Sequence, residues 1–309
     1  MSTSPHDCVE DPRNANVLIH LNGTLVPRAQ AMVSIFDSGF LMGDGVWEGL
    51  RVHHGHIPYL DAHLKRLFQG ARAIDLDIGK TAQELRFALK ETIEANKMQD
   101  GVHIRLMVTR GLKRTPFQGP SVNVGQPTIV IAAEYKEPDA SLKDRGLNLF
   151  TVHVRRGRPD VQDPRWNSHS KLNCVTACIQ AEKAGADEGL MLDPHGFVAT
   201  CNSTHFFIVT NGEVWTSSGK YCLHGITRAN ICRVARSLGY PVREHDFTLT
   251  DVYSADESFV TGTFAGIVPV RSIDGRQLPD SIPGKVTQSL LHAYAEDIER
   301  ACSIESCGH

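Results

Sequence analysis

Four short stretches of this 309-residue chain carry side chains whose types and spacing suit one kind of chemistry. "NSHSKLNCV" (167–175) puts Lys171, a candidate amine nucleophile, amid short polar residues just ahead of an apolar helical stretch. "LHGITRANICRV" places Gly225 and Thr227 at the start of a helix, where exposed backbone N–H groups and the helix dipole make a ready anion site. The plainer alternative for Thr227 is a helix N-cap. "VTGTFAG" (260–266) is a turn of small and hydroxyl residues at a strand end, again able to grip phosphate oxygens. "HLKRL" sets Arg66 on a helix, where a surface arginine is the plain alternative. Together these stretches describe a phosphate held by backbone, hydroxyl and guanidinium, with an amine beyond it.

Other reactive side chains fit simpler roles. Lys183, in "AEKAGADE", reads as part of a polar helix end. The cluster "HHGH" (53–56) falls on a hairpin turn with no acidic partner at ligand spacing, so solvated histidines are preferred to a metal hydrolase. The eight cysteines are Cys8, Cys174, Cys178, Cys201, Cys222, Cys232, Cys302 and Cys307. None forms a CxxC pair, and in a chain of this length without an export signal they read as reduced thiols of a cytoplasmic protein.

The elements that must position the candidates follow from periodicity. "VLIHLNGTLVPR" is two short strands around an Asn-Gly turn, and "GLRVHHGHIPYL" repeats the form. Helices follow at "DAHLKRLFQGARAIDL", with Leu64, Leu67, Phe68, Ala71 and Ile74 on one face, and at "TAQELRFALKETIEANK". "VHIRLMVTRG", "PTIVIAAEY" and "LNLFTVHVRR" are strands. The Arg, Asp and Pro-rich stretch 155–165 has no period and reads as a linker. A helix around Lys171, the strand "GLMLD", a second Asn-Gly hairpin in "HFFIVTNGEVWTS", the helix ended by Gly239, two more strands and a final helix complete the chain. The fold class is α+β in two domains: a disordered lead over 1–16, a small N-terminal domain over 17–154, the linker, and a larger domain over 166–309.

Composition is that of an ordinary globular protein, with 41% apolar and 22% charged residues. A net charge of −3 gives no basic surface for nucleic acid. No apolar run approaches the roughly 20 residues of a membrane helix, and the N-terminus has neither the basic start nor the apolar stretch of a signal peptide.

The order "GDGVWEG", "HLKRL", "HIRLMVTRG", Lys171, "GADEGLMLD", "GITR", "TGTFAGIVPVRSIDG" resembles the fold-type IV pyridoxal-phosphate enzymes. Branched-chain aminotransferases, D-amino-acid aminotransferases and aminodeoxychorismate lyases belong to that group. The resemblance runs from about Val17 to the end of the chain. It implies a small N-terminal α/β sandwich and a larger, β-barrel-like C-terminal domain with surrounding helices. It further implies that Arg66, Gly225, Ile226, Thr227 and Thr263 hold the phosphate of pyridoxal 5′-phosphate and that Leu223 packs on its ring. Phe264 and Ala265 match the turn that binds the substrate carboxylate, and Met42, Trp47, His103 and Arg105 match side chains lining the substrate pocket. His103 and Arg105, two apart on a strand, point to the same side.

Two positions depart from the family pattern. Counted without gaps from Pro164, the Schiff-base lysine's place is taken by Asn167, and Lys171 stands where the family has a tyrosine. Four residues on a helix return to nearly the same face, so Lys171 is expected to reach the cofactor's aldehyde while Asn167 hydrogen-bonds its phenolic oxygen. Thr200 stands where the family has a glutamate against the ring nitrogen. A hydroxyl favours the charged ring less than a carboxylate does, so the nitrogen is expected to be largely unprotonated.

The resulting expectation is a transaminase acting between an amino acid, branched-chain-like, and a 2-oxo acid. Lys171 would be the catalytic amine, and the protein would be a homodimer with no nucleic-acid or membrane partner and no metal. The alternatives are a pyridoxal lyase or eliminase, favoured by Thr200, and a silent protein on this scaffold, favoured by Asn167.

Overall fold

A computed structural model of the chain describes residues 10–306, with side chains through Ser303. The described residues form two compact units, one of 10–137 with 166–171 and 301–306, the other of 138–165 and 172–300. Of the lead expected to be disordered, residues 1–9 lie outside the described residues. Pro12–Asn16 instead forms a 3-10 turn, because Asp11 caps it and the buried Asn14 side chain bonds the backbone of Tyr135 at both ends.

The N-terminal unit is a five-stranded antiparallel sheet. Its order is Thr24–Pro27, Leu18–Leu21, Thr128–Tyr135, Val102–Thr109, Gly45–Val52. The first hairpin closes on Asn22 and Gly23, whose φ of 51° and 91° are the left-handed pair that a two-residue turn requires. "GLRVHHGHIPYL" does not repeat it: only Gly45–Val52 is a strand. His53 pairs with His56 in a tight turn, and Pro58, which cannot donate to a ladder, leads the chain into the helix Leu60–Ala73. That helix and Ala82–Ala95 bury Leu64, Leu67, Leu85 and Leu89 against Leu50, Ile104, Leu106 and Ile131. Each such side chain contributes about 1.5–3 kcal/mol.

The C-terminal unit is built on a nine-stranded mixed sheet whose ends are Val198–Cys201 and Val242–Glu244. Leu147–Thr151, expected in the first domain, lies here between Glu188–Leu192 and Gly266–Ile273, parallel to both. The stretch read as a linker also belongs to this unit, where Arg156 N–H donates to Leu192 O at 2.9 Å and Pro159–Gln162 forms a short helix. The core gathers Leu147, Leu149, Leu190, Phe206, Ile208, Val260 and Val268. Glu257 caps the final helix, Lys285–Ser306, accepting from the N–H groups of Val286 and Thr287 at 2.9 and 2.8 Å. Among the described residues no helix is long and apolar enough to cross a membrane.

Candidate active site

Lys171 does not lie on a helix with Asn167. The helix begins at Leu172, and residues 167–169 run as a short extended segment along the free edge of Gly45–Val52. Trp47 N–H donates to Asn167 O at 2.9 Å, His169 N–H to Gly45 O at 3.0 Å, and the Trp47 indole N–H to Ser168 O at 3.0 Å. The glycines of "GDGVWEG" make this approach possible. A Cβ on Gly45 would crowd Val108 O and the His169 ring, and Gly43 adopts the left-handed φ of 67° with Ser170 at 3.3 Å from where its Cβ would stand.

The segment delivers Lys171 to Trp47. Its ammonium lies 5.3 Å from the centroid of the indole, within cation–π range, and donates to Asn167 Oδ1 at 3.0 Å. The other end of the Asn167 amide donates to Trp47 O at 2.6 Å, which fixes the amide's orientation. Asn167 is thus engaged in holding Lys171 to Trp47. Arg105 stacks on Trp47 with its guanidinium carbon 3.8 Å from the centroid. His103 shares its side of the sheet, and Gly49 leaves room between them: a Cβ there would stand 3.3 Å from His103 Nε2 and 3.4 Å from the Trp47 ring. Met42, the last residue of the short helix Ser38–Met42, is 42% exposed.

Arg66 is not a loose surface cation. Its Nε and Nη2 donate to the two oxygens of Glu48 at 2.8 and 2.6 Å, and His63 Nδ1 lies 2.7 Å from the same carboxylate. Glu48 has no solvent exposure. Burial alone would push its pKa up, but the charge and hydrogen bonds of Arg66, with the His63 bond, hold it below its ordinary value. Burial pushes the His63 pKa down, so the ring stays neutral and donates from Nδ1. Neither Glu48 nor His63 was singled out from sequence, although Glu48 shares the parity of buried Val46, Leu50 and Val52 and His63 lies three residues before Arg66.

In the C-terminal unit the remaining candidates converge on Thr204 and His205, also missed. His205 pairs with Thr261 across the strands His205–Thr210 and Glu257–Gly262, and its Nε2 donates to Leu223 O at 2.6 Å. Gly225 N–H donates to the same carbonyl at 2.9 Å, and a Cβ at Gly225 would overlap the imidazole. Gly225 is the N-cap of Ile226–Ser237 and offers no side chain to the first-turn N–H groups. Thr227 is therefore not the cap but a buried residue inside the first turn. Thr263, Phe264 and Ala265 form the turn after Glu257–Gly262, and a Cβ on Gly262 would stand 3.6 Å from the Thr204 methyl. Thr200, buried, donates its hydroxyl to Thr204 O at 2.7 Å. Three buried side-chain atoms on these elements have no partner among the described residues: Thr261 Oγ1, just before the turn, and Arg228 Nε and Asn230 Nδ2, on the first turns of the helix. Such atoms are costly unless a ligand or water satisfies them.

The structure therefore assembles two groups, Trp47, His103, Arg105, Asn167 and Lys171 in one unit, and Thr200, Leu223 to Thr227 and Thr263 to Ala265 in the other. Among the described residues no cluster of three or more His, Cys, Asp or Glu side chains has the arrangement of a metal site.

The family model described as "Amino-transferase class IV" matches residues 45–273. A putative branched-chain-amino-acid aminotransferase of Methanocaldococcus jannaschii is 40% identical over 90% of this chain and 95% of its own length. Branched-chain-amino-acid aminotransferase-like protein 2 of Arabidopsis thaliana is 37% identical over 95% of this chain, which spans only about half, 52%, of that relative. Among solved structures, the branched-chain aminotransferase of the thermophilic archaeon Thermoproteus uzoniensis with norvaline has a TM-score of 0.83 and 31% identity, covering 91% of this chain and 94% of that one.

Proposed function

We propose that this chain, which belongs to the class IV amino-transferase family, binds pyridoxal 5′-phosphate and moves an amino group between an amino acid and a 2-oxo acid. The observation that carries this reading is the Lys171 amine, held between the Asn167 amide and the Trp47 indole on a segment anchored to a strand edge. The residues present suit the cofactor: a helix start capped only by glycine, a second turn with Thr261 and Thr263 at its approach, and orphaned buried polar atoms on the same elements.

When bound, the cofactor supplies an aldehyde that condenses with amines and a ring that spreads charge from the substrate's Cα. The N–H groups of Ile226 and Thr227, the hydroxyls of Thr227 and Thr263, and Arg66 would hold its phosphate. Leu223 would pack on the ring and Thr200 would face the ring nitrogen. Arg105 and the turn at Phe264 and Ala265 would orient the substrate carboxylate, with Met42, Trp47 and His103 around the side chain. Lys171 Nζ would hold the cofactor until substrate displaces it. The freed amine would then take the proton from Cα and return it as a general acid.

A branched-chain substrate is supported by the names of the relatives above, and a homodimer by the exposed apolar residues Met32, Ile35 and Phe40. A cytoplasmic location is supported by the cysteine pattern of the sequence, eight residues with no CxxC pair. Thr200 in place of glutamate supports a second reading, an eliminase on the same scaffold. Incubation with L- and D-branched-chain amino acids, with and without a 2-oxo acid, separates the two. Product that requires the acceptor supports transamination. Product released without an acceptor supports elimination, and no product from either incubation would count against both.

A further inference from the structure

The environment of Thr200 is more constrained than its identity implies. Glu188 starts the strand Glu188–Leu192 and is 1% exposed. Its Oε1 accepts from Ser203 N–H at 2.8 Å, the Ser203 hydroxyl at 2.6 Å and Thr204 N–H at 3.0 Å, while Oε2 accepts from the Thr204 hydroxyl at 2.8 Å. Asn202 ties the same turn to the strand: Gly189 N–H donates to its side-chain oxygen at 2.6 Å, and its own N–H donates to Gly189 O at 3.0 Å. The turn 201–204 is therefore pinned at every residue, since Cys201 N–H also donates to Thr204 O at 2.9 Å. That fixed Thr204 carbonyl takes the Thr200 hydroxyl at 2.7 Å.

A hydroxyl has one proton and two lone pairs. With the proton directed to Thr204 O, Thr200 presents only lone pairs in other directions. A neutral pyridine nitrogen facing it would meet lone pair with lone pair unless the hydroxyl turned away from Thr204, giving up one buried bond to gain one. A protonated nitrogen would donate to Thr200 while Thr200 kept its bond to Thr204. That arrangement has one more hydrogen bond, and the added bond is charge-assisted, about twice as strong as a neutral one. The chain of donors also polarises in a single direction. Glu188 acts in the same sense. Four neutral donors satisfy both its oxygens and no cation among the described residues offsets its charge, so burial raises its pKa in spite of them. A positive charge bound nearby would relieve a buried carboxylate in that position.

We propose that Glu188, through the 201–204 turn, is a positioning residue that fixes Thr200 as a hydrogen-bond acceptor, so that the ring nitrogen of bound pyridoxal phosphate is held protonated. This rests on the assignment of Thr200 to the ring nitrogen made above, and it reverses what a hydroxyl at that position implies by itself. A threonine then does, with a carboxylate behind it, what the family's glutamate does directly.

The test is the NMR shift of the ring nitrogen in holoprotein loaded with pyridoxal phosphate labelled with ¹⁵N at that atom, a readout independent of turnover. Wild type and Thr200→Ser are expected in the protonated range, with Thr200→Val moved toward the unprotonated one. Glu188→Gln, which keeps an oxygen for the Ser203 and Thr204 N–H groups but removes the negative charge behind the turn, is expected to move the shift in the same direction with Thr200 still present. An unprotonated nitrogen in wild type, or a Thr200→Val shift equal to wild type, overturns the proposal. A Glu188→Gln shift equal to wild type removes Glu188 from it. If wild-type protein takes up no cofactor at all, it is the proposed function that fails.

Discussion

Lys171 and Asn167 meet end to end, ammonium to amide oxygen at 3.0 Å, although they belong to an extended segment and not to one helical turn. The amide is aimed by its other end, on Trp47 O. A hydrogen bond to a charged group is worth about 1.5–3 kcal/mol. Asn167→Ala is therefore expected to weaken capture of pyridoxal phosphate by ~10-fold or more, followed as the rate and extent of the absorbance change when cofactor is added to apoprotein. Asn167→Asp should also slow capture near neutral pH, because a carboxylate favours the ammonium over the nucleophilic amine. Capture at the wild-type rate in both variants would show that Asn167 does not position Lys171.

Arg66→Ala is expected to cost stability as well as cofactor. The substitution leaves Glu48 buried without its cation, and breaking a buried pair costs roughly 3–5 kcal/mol. Thermal unfolding of Arg66→Ala should show a large fall in melting temperature, and adding Glu48→Gln should recover part of it. Equal melting temperatures for Arg66→Ala and wild type would mean that the Glu48 contact contributes nothing to the fold.

The same cluster sets a pH dependence. Glu48 titrates in the folded protein below its ordinary 4.5, and His63 below its ordinary 6.5. In both cases the unfolded chain binds the proton first, so the stabilisation is complete above the unfolded value and is lost as pH falls. Stability should therefore begin to decline below pH 6.5, with a second, steeper loss below pH 4.5. In His63→Phe the decline between pH 6.5 and 4.5 should shrink. Urea midpoints across that range test this, and an unchanged slope in the variant would contradict it.

Much of this architecture could be read from residue types alone, and the limits have physical causes. Asn-Gly at 22–23 and 211–212 specified two hairpins, because those residues adopt left-handed φ where others are strained. The residue pattern of Leu147–Thr151 marks a strand but not the half it joins, since alternation sets which face is buried and says nothing about which sheet supplies the partner. The return of 166–171 to the Gly45–Val52 edge is not legible, because it depends on backbone bonds from Trp47 N–H to Asn167 O and from His169 N–H to Gly45 O, between segments far apart in sequence, and on two glycines that let the chains approach. The role of His205 needed three dimensions for the same reason: it lies 18 residues from the carbonyl it fixes.

Gly225 supplies a further test. Its φ of −67° is open to any residue, so only the His205 ring stands against a side chain there. Gly225→Ala is expected to displace the imidazole or the start of the 226–237 helix and to reduce cofactor affinity by ~10-fold, the order of the 1–3 kcal/mol that overpacking costs. Gly225→Ala combined with His205→Ala should lose less than the sum of the two single variants. Additive losses would show that the contact is not what requires glycine.

The assignment of Lys171 as the amine that holds pyridoxal phosphate is tested most directly by trapping. Purified protein loaded with the cofactor is reduced with borohydride, digested, and its peptides mapped by mass. The expected result is one pyridoxyl group, on the peptide that carries Lys171, with the Lys171→Ala protein unlabelled. A label on Lys183, or cofactor lost from every peptide after reduction, would contradict the assignment.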